Sequence, residues 1–254
     1  HKVRKRSDSF KDHYGQAKLF WNSMSTIEKQ HIIDAFRFEL GKCLNKEIQQ
    51  QVVNMFANVD HFLAEQIAVG LGLEVPAEGE IEESKVTDSS PALSQLNTAL
   101  GAKTRKIAVL VHNGFDGQDL KEALVAFDEA GILVHIVSEQ QGKIKSANGA
   151  ELKVDQTFLT TDSVLYDAIY LASGQRSVDA LKKINKVNEF IMDAYNHFKA
   201  IGAPKEAADL VAPFIRTSNG TAGVVTSASD EPIQHFVEQF IEAVGKHRHW
   251  DRIQ

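Results

Sequence analysis

The chain has 254 residues, 43% of them apolar and 24% charged, with a formal net charge of −6. That length allows one or two domains with a sizeable core, and the negative balance argues against a nucleic-acid binder, which has to neutralise phosphates. A single cysteine, Cys43, excludes an internal disulfide framework and a cysteine-based zinc site, and no run approaches the roughly 18–20 apolar residues of a membrane span.

The basic start, His1 to Arg6, has no apolar stretch behind it and does not read as a secretory leader. A cytoplasmic, reduced setting fits the low cysteine content, and so does a cysteine-poor exported protein. A first residue that is His rather than Met fits a piece of a longer protein. Residues 1–73 read as helical. Ser25-Thr26-Ile27-Glu28 has the form of a capping box. Ile32, Ile33, Phe36 and Leu40 follow at helical spacing, with Gly41 as a stop. Ile48, Val52, Val53 and Phe56 form a second apolar face. Asp60 caps a third helix carrying Leu63 and Ile67, closed by Gly70 or Gly72. So few short helices bury little by themselves, so they are expected to pack against an upstream part of the protein.

Residues 74–103 read as an acidic, flexible linker, with Glu74, Glu78, Glu80, Glu82, Glu83 and Asp88 among Pro76, Ser89, Ser90 and Pro91. From 104 to 254 strands and helices alternate. Lys106 to Val111 is a nearly continuous apolar strand, as in a parallel sheet covered on both faces. A turn from His112 to Gly117 leads into a helix with Leu120, Leu124 and Phe127 inside and Gly131 as its stop. Ile132 to Val137 is a second strand. Gly142 to Phe158 is a polar hairpin turning at Asn148-Gly149. Ala168 to Leu171 is a third strand and Val187 to Phe198 a helix. Lys199 to Ile201 is a short strand leading into a turn at Gly202-Ala203-Pro204. Val224-Val225 gives a late strand and Ile233 to Val244 a closing helix. The alternation predicts an α/β domain with a doubly wound, mostly parallel sheet. Ligands of such sheets sit at the carboxyl ends of strands, so the turns after Val111 and Ile201 are the places to inspect.

Little chemistry is legible there. Gly202 cannot act as a nucleophile, and Cys43 lies far away in the helical part. Ser173, Ser218 and Ser227 lack a G-x-S-x-G setting. Gly114 and Gly117 could cradle an anion or merely serve the turn. They match no phosphate fingerprint, and Asp116 beside them has the wrong sign. His112, His135, His247 and His249 fall in no metal-ligand spacing. Asp116 could be a reacting acid, or it could simply start the helix.

The segment Asp12-His13-Tyr14-Gly15-Gln16-Ala17-Lys18-Leu19-Phe20-Trp21-Asn22-Ser23-Met24 resembles the stretch that follows the β-barrel of haem catalases. The likeness continues through Glu28 to Ile32, Phe38 to Lys42 and Ala64 to Leu73. The remainder, notably Phe190 to Pro204 and His247 to Ile253, is similar to the flavodoxin-like domain of large-subunit catalases, of the class I glutamine-amidotransferase-like, PfpI-like superfamily. The resemblance implies a vestigial nucleophile turn at Gly202, Ala203 and Pro204 and a vestigial acid position at Asp116. It implies a parent that dismutates hydrogen peroxide with haem as a homotetramer, its haem ligands lying upstream of His1. No tyrosine among Tyr14, Tyr166, Tyr170 and Tyr195 has a haem-ligand setting. The chain itself is then expected to hold no haem, metal or other cofactor, to be catalytically inert and to support stability or assembly. Its expected partners are the catalase barrel and sister subunits, without nucleic acid or membrane. The alternatives are a chaperone-like action on unfolded client proteins and residual small-molecule binding at the vestigial turn.

Overall fold

The computed structural model describes residues 2–79, 87–215 and 218–252. The middle of the expected linker (80–86), His1 and Ile253 therefore lie outside the described residues. The chain divides into two compact units, His1–Ala99 and Leu100–Gln254.

The first unit is helical: α1 (Gly15–Ser23), α2 (Thr26–Gly41), α3 (Lys46–Phe56) and α4 (His61–Leu71). The capping box is present at the start of α2. The Glu28 amide donates to Ser25 Oγ at 3.3 Å, and Glu28 Oε2 accepts from the Ser25 amide at 2.8 Å. Asp60 caps α4 by accepting from the Leu63 amide at 2.9 Å. Of the two candidate stops, Gly72 is the one used. Its φ of +64° is left-handed, where a side chain is strained. The buried core is small: Trp21, Ile33, Val53, Ala57, Leu63, Ala64, Ile67 and Ala68. Beside it an apolar groove of about 350 Å³ stays open between Phe20, Trp21, Ile32, Phe36, Phe56 and Leu63.

The acidic stretch is partly folded where it is described. Gln50 exchanges two hydrogen bonds with the backbone of Glu74, at 2.9 and 3.0 Å. Pro91–Leu93 and Gln95–Asn97 form 3-10 turns. Glu28 ties the second of these to the start of α2, accepting from Ser94 Oγ at 2.9 Å and from the Gln95 amide at 2.8 Å. Burial works against the Glu28 charge, yet these donors and the Ser25 amide hold its carboxyl below the ordinary glutamate range. Composition missed this because the anchor, a buried carboxylate on a helix start, lies more than sixty residues away in sequence.

The second unit is the expected α/β domain. Its elements are β1 (Lys106–Leu110), α5 (Gly117–Glu129), β2 (Leu133–Ser138), β3 (Gly142–Lys145), β4 (Glu151–Val154), β5 (Gln156–Thr157), β6 (Ala168–Leu171), α6 (Gln175–Leu181), α7 (Asn185–Asn196), β7 (Ala200–Ala203), α8 (Ala208–Val211), β8 (Val224–Thr226) and α9 (Ile233–Gly245). Six strands form a parallel sheet in the order β5-β2-β1-β6-β7-β8. Within it β2-β1-β6-β7-β8 reproduces the 2-1-3-4-5 succession of flavodoxin-type sheets. The strands β3 and β4 pair antiparallel as a separate hairpin, while β5, within the expected hairpin stretch, joins the main sheet instead.

Both faces of the sheet are covered, which explains the unbroken apolar run of β1. On one face Phe127, Tyr170, Phe236 and Phe240 form an aromatic cluster under α5 and α9, with ring centroids 5.4–6.5 Å apart. On the other, Val178, Leu181, Phe190, Ile191 and Leu210 bring α6, α7 and α8 onto the sheet. After α9 the chain returns beneath β7, where buried Arg252 donates to the carbonyls of Tyr195, Lys199 and Ala222 at 2.7, 2.7 and 2.8 Å.

Candidate functional site

The topological switch lies between β1 and β6, so the carboxyl ends of these strands and of β7 are where a flavodoxin-type sheet would bind a ligand. Asp116, the expected acid, is the N-cap of α5. Its Oδ1 accepts from the Gln118 and Asp119 amides at 2.9 and 3.0 Å. A carboxylate there offsets the free amides and positive end of the helix, which is the helix-start reading of this residue.

The carboxylate that faces the strand ends is Asp119, one helical turn further on. It is buried, and its Oδ2 accepts from Ser173 Oγ at 2.8 Å and from Lys205 Nζ at 2.7 Å. Lys205 stands two residues after β7 with φ +51°. A non-glycine residue in the left-handed region is strained, and such strain persists only where the surroundings fix it. Here Asp119 holds the side chain, and Ser227 Oγ accepts from the Lys205 amide at 3.2 Å. Burial works against the Lys205 charge, but the hydrogen bond and field of Asp119, with Asp116 and Glu206 behind it, hold its pKa above the ordinary lysine value. The ammonium therefore stays protonated and acts as a counter-ion; a nucleophilic lysine needs the opposite shift.

Gly202 and Ala203 lie inside β7, so the strand runs two residues further than its sequence suggests, and Pro204 opens the turn. Gly202 pairs with Tyr170 and Val225 in adjacent strands. A Cβ on Gly202 would fall 2.7 Å from the Phe240 ring. The pairing on both sides carries the strand through, and the aromatic cluster leaves no room for a side chain at that register.

The rest of the edge is closed by backbone. The Gly114 amide donates to the Lys145 carbonyl at 2.7 Å, but the need for glycine there comes from its φ of +86° and from Arg176 Cβ, 2.6 Å from where a Cβ would stand; a Cβ on Gly117 would fall 2.9 Å from Ser146 Cβ, so that glycine serves the approach of the hairpin. Gly174 has φ +112°, and a Cβ there would meet the Asp116 amide at 2.6 Å. His112 pairs with Glu139 at 3.2 Å and donates its amide to Ser177 Oγ, while its Nδ1 is buried without a partner. Tyr170 is fully buried with its hydroxyl unpaired. Burial, and then the fields of Asp119 and Asp116, raise its pKa far above the ordinary tyrosine value. It is a neutral hydroxyl beside the ion pair.

The other candidates are occupied locally. Cys43 Sγ lies 3.7 Å from the Asn45 carbonyl, in the helical unit. His247 meets Asp167 at 3.2 Å, and His249 Nε2 meets the Ala243 carbonyl at 3.0 Å. His135 Nδ1 lies 3.2 Å from the Tyr166 hydroxyl. The four tyrosines lie in different surroundings. Tyr170 is in the aromatic core, Tyr166 accepts from Thr161, Tyr195 donates to the Gly220 carbonyl, and Tyr14 precedes α1.

Two family models match the chain, one described as catalase-related immune-responsive over residues 7–71 and one as the C-terminal domain found in long catalases over residues 103–254. Among curated proteins it is 50% identical to Catalase-2 of Bacillus subtilis (strain 168) over 99% of this chain and 36% of that protein. It is 46% identical to Catalase of Alkalihalophilus pseudofirmus over 99% of this chain and 36% of the relative, and 39% identical to Catalase HPII of Mycobacterium avium over 98% and 37%. The chain thus spans little more than a third of the length of these relatives.

Proposed function

Because this chain belongs to the family of C-terminal domains found in long catalases, we propose that it serves a larger haem catalase by stabilising and assembling it, with peroxide chemistry performed elsewhere in that protein. The observation that carries this reading is the Lys205–Asp119 ion pair at 2.7 Å. The pair stands at the carboxyl ends of the strands, where a sheet of this kind carries its reacting groups. A protonated amine neutralises the carboxylate, Ser173 Oγ donates to that same carboxylate, and Gly202 has no room for a thiol. The apolar groove at Phe20, Trp21 and Phe36 supports the assembly half of the proposal, since it offers a barrel domain a dry surface to cover.

The test is an assay of the 254-residue chain against hydrogen peroxide and against amide, ester and 2-oxoaldehyde substrates. No turnover above background is expected, with or without added haem. Turnover abolished by Asp119→Asn or Lys205→Ala would overturn the reading.

A further inference from the structure

The opposite edge of the α/β sheet carries a second charged cluster, and its charges do not balance. Three parallel strands begin there side by side. Lys106, Asp167 and Lys199 stand at or one residue before the starts of β1, β6 and β7, as the pairing of Ile107 with Ala168 and of Ala168 with Ala200 requires. Arg105 precedes Lys106. The segment after α9 brings His247 and Arg248 over the same edge, with His247 in the left-handed region at φ +64°.

Asp167 is shared among these groups. Its Oδ1 lies 3.2 Å from His247 Nε2 and 3.7 Å from Arg105 Nη1, and its Oδ2 accepts from the Lys106 amide at 2.9 Å. Arg248 is half-buried and its guanidinium donates to the His247 carbonyl at 2.9 Å; burial works against its charge, the field of Asp167 offsets this in part, and Arg105 adds to the cost. Lys199 is buried and donates to the Ser163 carbonyl; its field is offset in part by Asp167 and by Asp193 of α7. The Lys106 ammonium lies over the Tyr166 ring, 5.1 Å from its centroid. Cations therefore outnumber the carboxylates at a partly desolvated edge, where uncompensated like charge is costly. Two pKa shifts follow chiefly from burial, with the neighbouring cations adding to it and Asp167 opposing it. Burial, followed by Arg248 and Arg105, holds His247 below the ordinary histidine range, and burial followed by Arg248 brings Lys199 down to about 8.

We propose that this edge is a binding site for a tetrahedral oxyanion of the phosphate class, held by Arg105 and Arg248. Two guanidinium forks suit such an anion because each can donate two parallel N–H bonds to its oxygens. Lys199 contributes field from behind, since its own donors are directed at Ser163. The site lies at the amino ends of the strands, away from the Asp119–Lys205 pair.

The test is calorimetric titration of the 254-residue chain with inorganic phosphate, with glycerol 3-phosphate and with acetate, alongside melting curves in phosphate and in sodium chloride of equal ionic strength. Phosphate is expected to bind and to raise the melting temperature beyond the chloride control. Arg248→Gln and Arg105→Gln should each weaken binding by about tenfold or more, the loss of one charge-assisted pair, and Lys143→Gln on the distant hairpin should leave it unchanged. Without phosphate, Arg248→Gln should change the melting temperature little, because the cost of burying this charge is offset only in part by the field of Asp167. Binding of glycerol 3-phosphate as tight as that of phosphate would point to a phosphomonoester, and binding of phosphate alone to the free ion; both support the site. Acetate binding as tightly as phosphate, chloride stabilising as much as phosphate, or phosphate affinity unaffected by both arginine variants would overturn it. Should Arg248→Gln fail to fold, Arg105→Gln decides by itself.

Discussion

The two units of this chain solve the burial problem differently. The α/β unit covers both faces of its sheet, with 21 residues in one buried cluster and 19 in the other. The helical unit has eight, and it leaves Phe20, Phe38, Phe62 and Val69 between 46% and 66% exposed. One unit can stand on its own core; the other presents apolar surface that a neighbour would have to cover. Both contain matched catalase-related segments.

The largest effect that would sharpen this contrast belongs to the aromatic cluster. Phe240→Ala is expected to cost about 3–5 kcal/mol, the usual range for emptying a buried aromatic site. Urea unfolding should show the loss in the transition of the α/β unit, and a helical transition that shifts equally would break the idea of two separate cores.

Next comes Lys199. Its folded pKa of about 8 lies below the ordinary lysine value, so above pH 8 the unfolded chain binds more protons than the folded one. Stability therefore rises with pH from about 8 to 10, by about 2–3 kcal/mol. Below pH 8 the full cost of the buried charge is present. Lys199→Met should flatten this rise, and an equally steep rise in that variant would remove Lys199 as its source.

Breaking the Lys205–Asp119 pair by Lys205→Met should cost about 2 kcal/mol, less than a fully buried pair because both side chains keep some exposure. The double variant with Asp119→Asn should recover part of that loss. Simple additivity in a double-mutant cycle would mean the pair does not hold the strained turn.

How much of this could be read from the sequence depends on how local the signals are. The cap at Ser25, the apolar run of β1 and the stop at Gly72 rest on neighbours within one turn or strand, and they were legible. The short helix α6 was not, because Gln175-Arg176-Ser177 hides its start and only Val178 and Leu181 mark its apolar side. The strand-end cluster was invisible for another reason. Asp119, Ser173 and Lys205 are 54 and 86 residues apart, and only the sheet order brings them together. Asp116 drew attention because it sits at a recognisable turn, yet the residue that meets the strand ends is three positions later. The apolar pattern of β7 stops at Ile201, so Gly202 and Ala203 read as a turn, while pairing with β6 and β8 carries the strand on to Ala203.

The smallest effect in the isolated chain should come from Phe20→Ser. Its ring is 46% exposed at the rim of the open groove, so the cost should stay within about 0.5 kcal/mol. In a complete long catalase the same change should lower the yield of assembled protein, and an unaltered yield would mean that nothing covers the groove.

The most direct measurement of the central claim is made on a complete long catalase carrying this chain, with and without residues 100–254. Peroxide turnover at room temperature and the half-life of activity on heating are followed together. The expected result is turnover kept to within about twofold and a half-life shortened by about tenfold or more, the signature of lost kinetic stability. An unchanged half-life with turnover abolished would contradict the account, since it would place the domain in the chemistry.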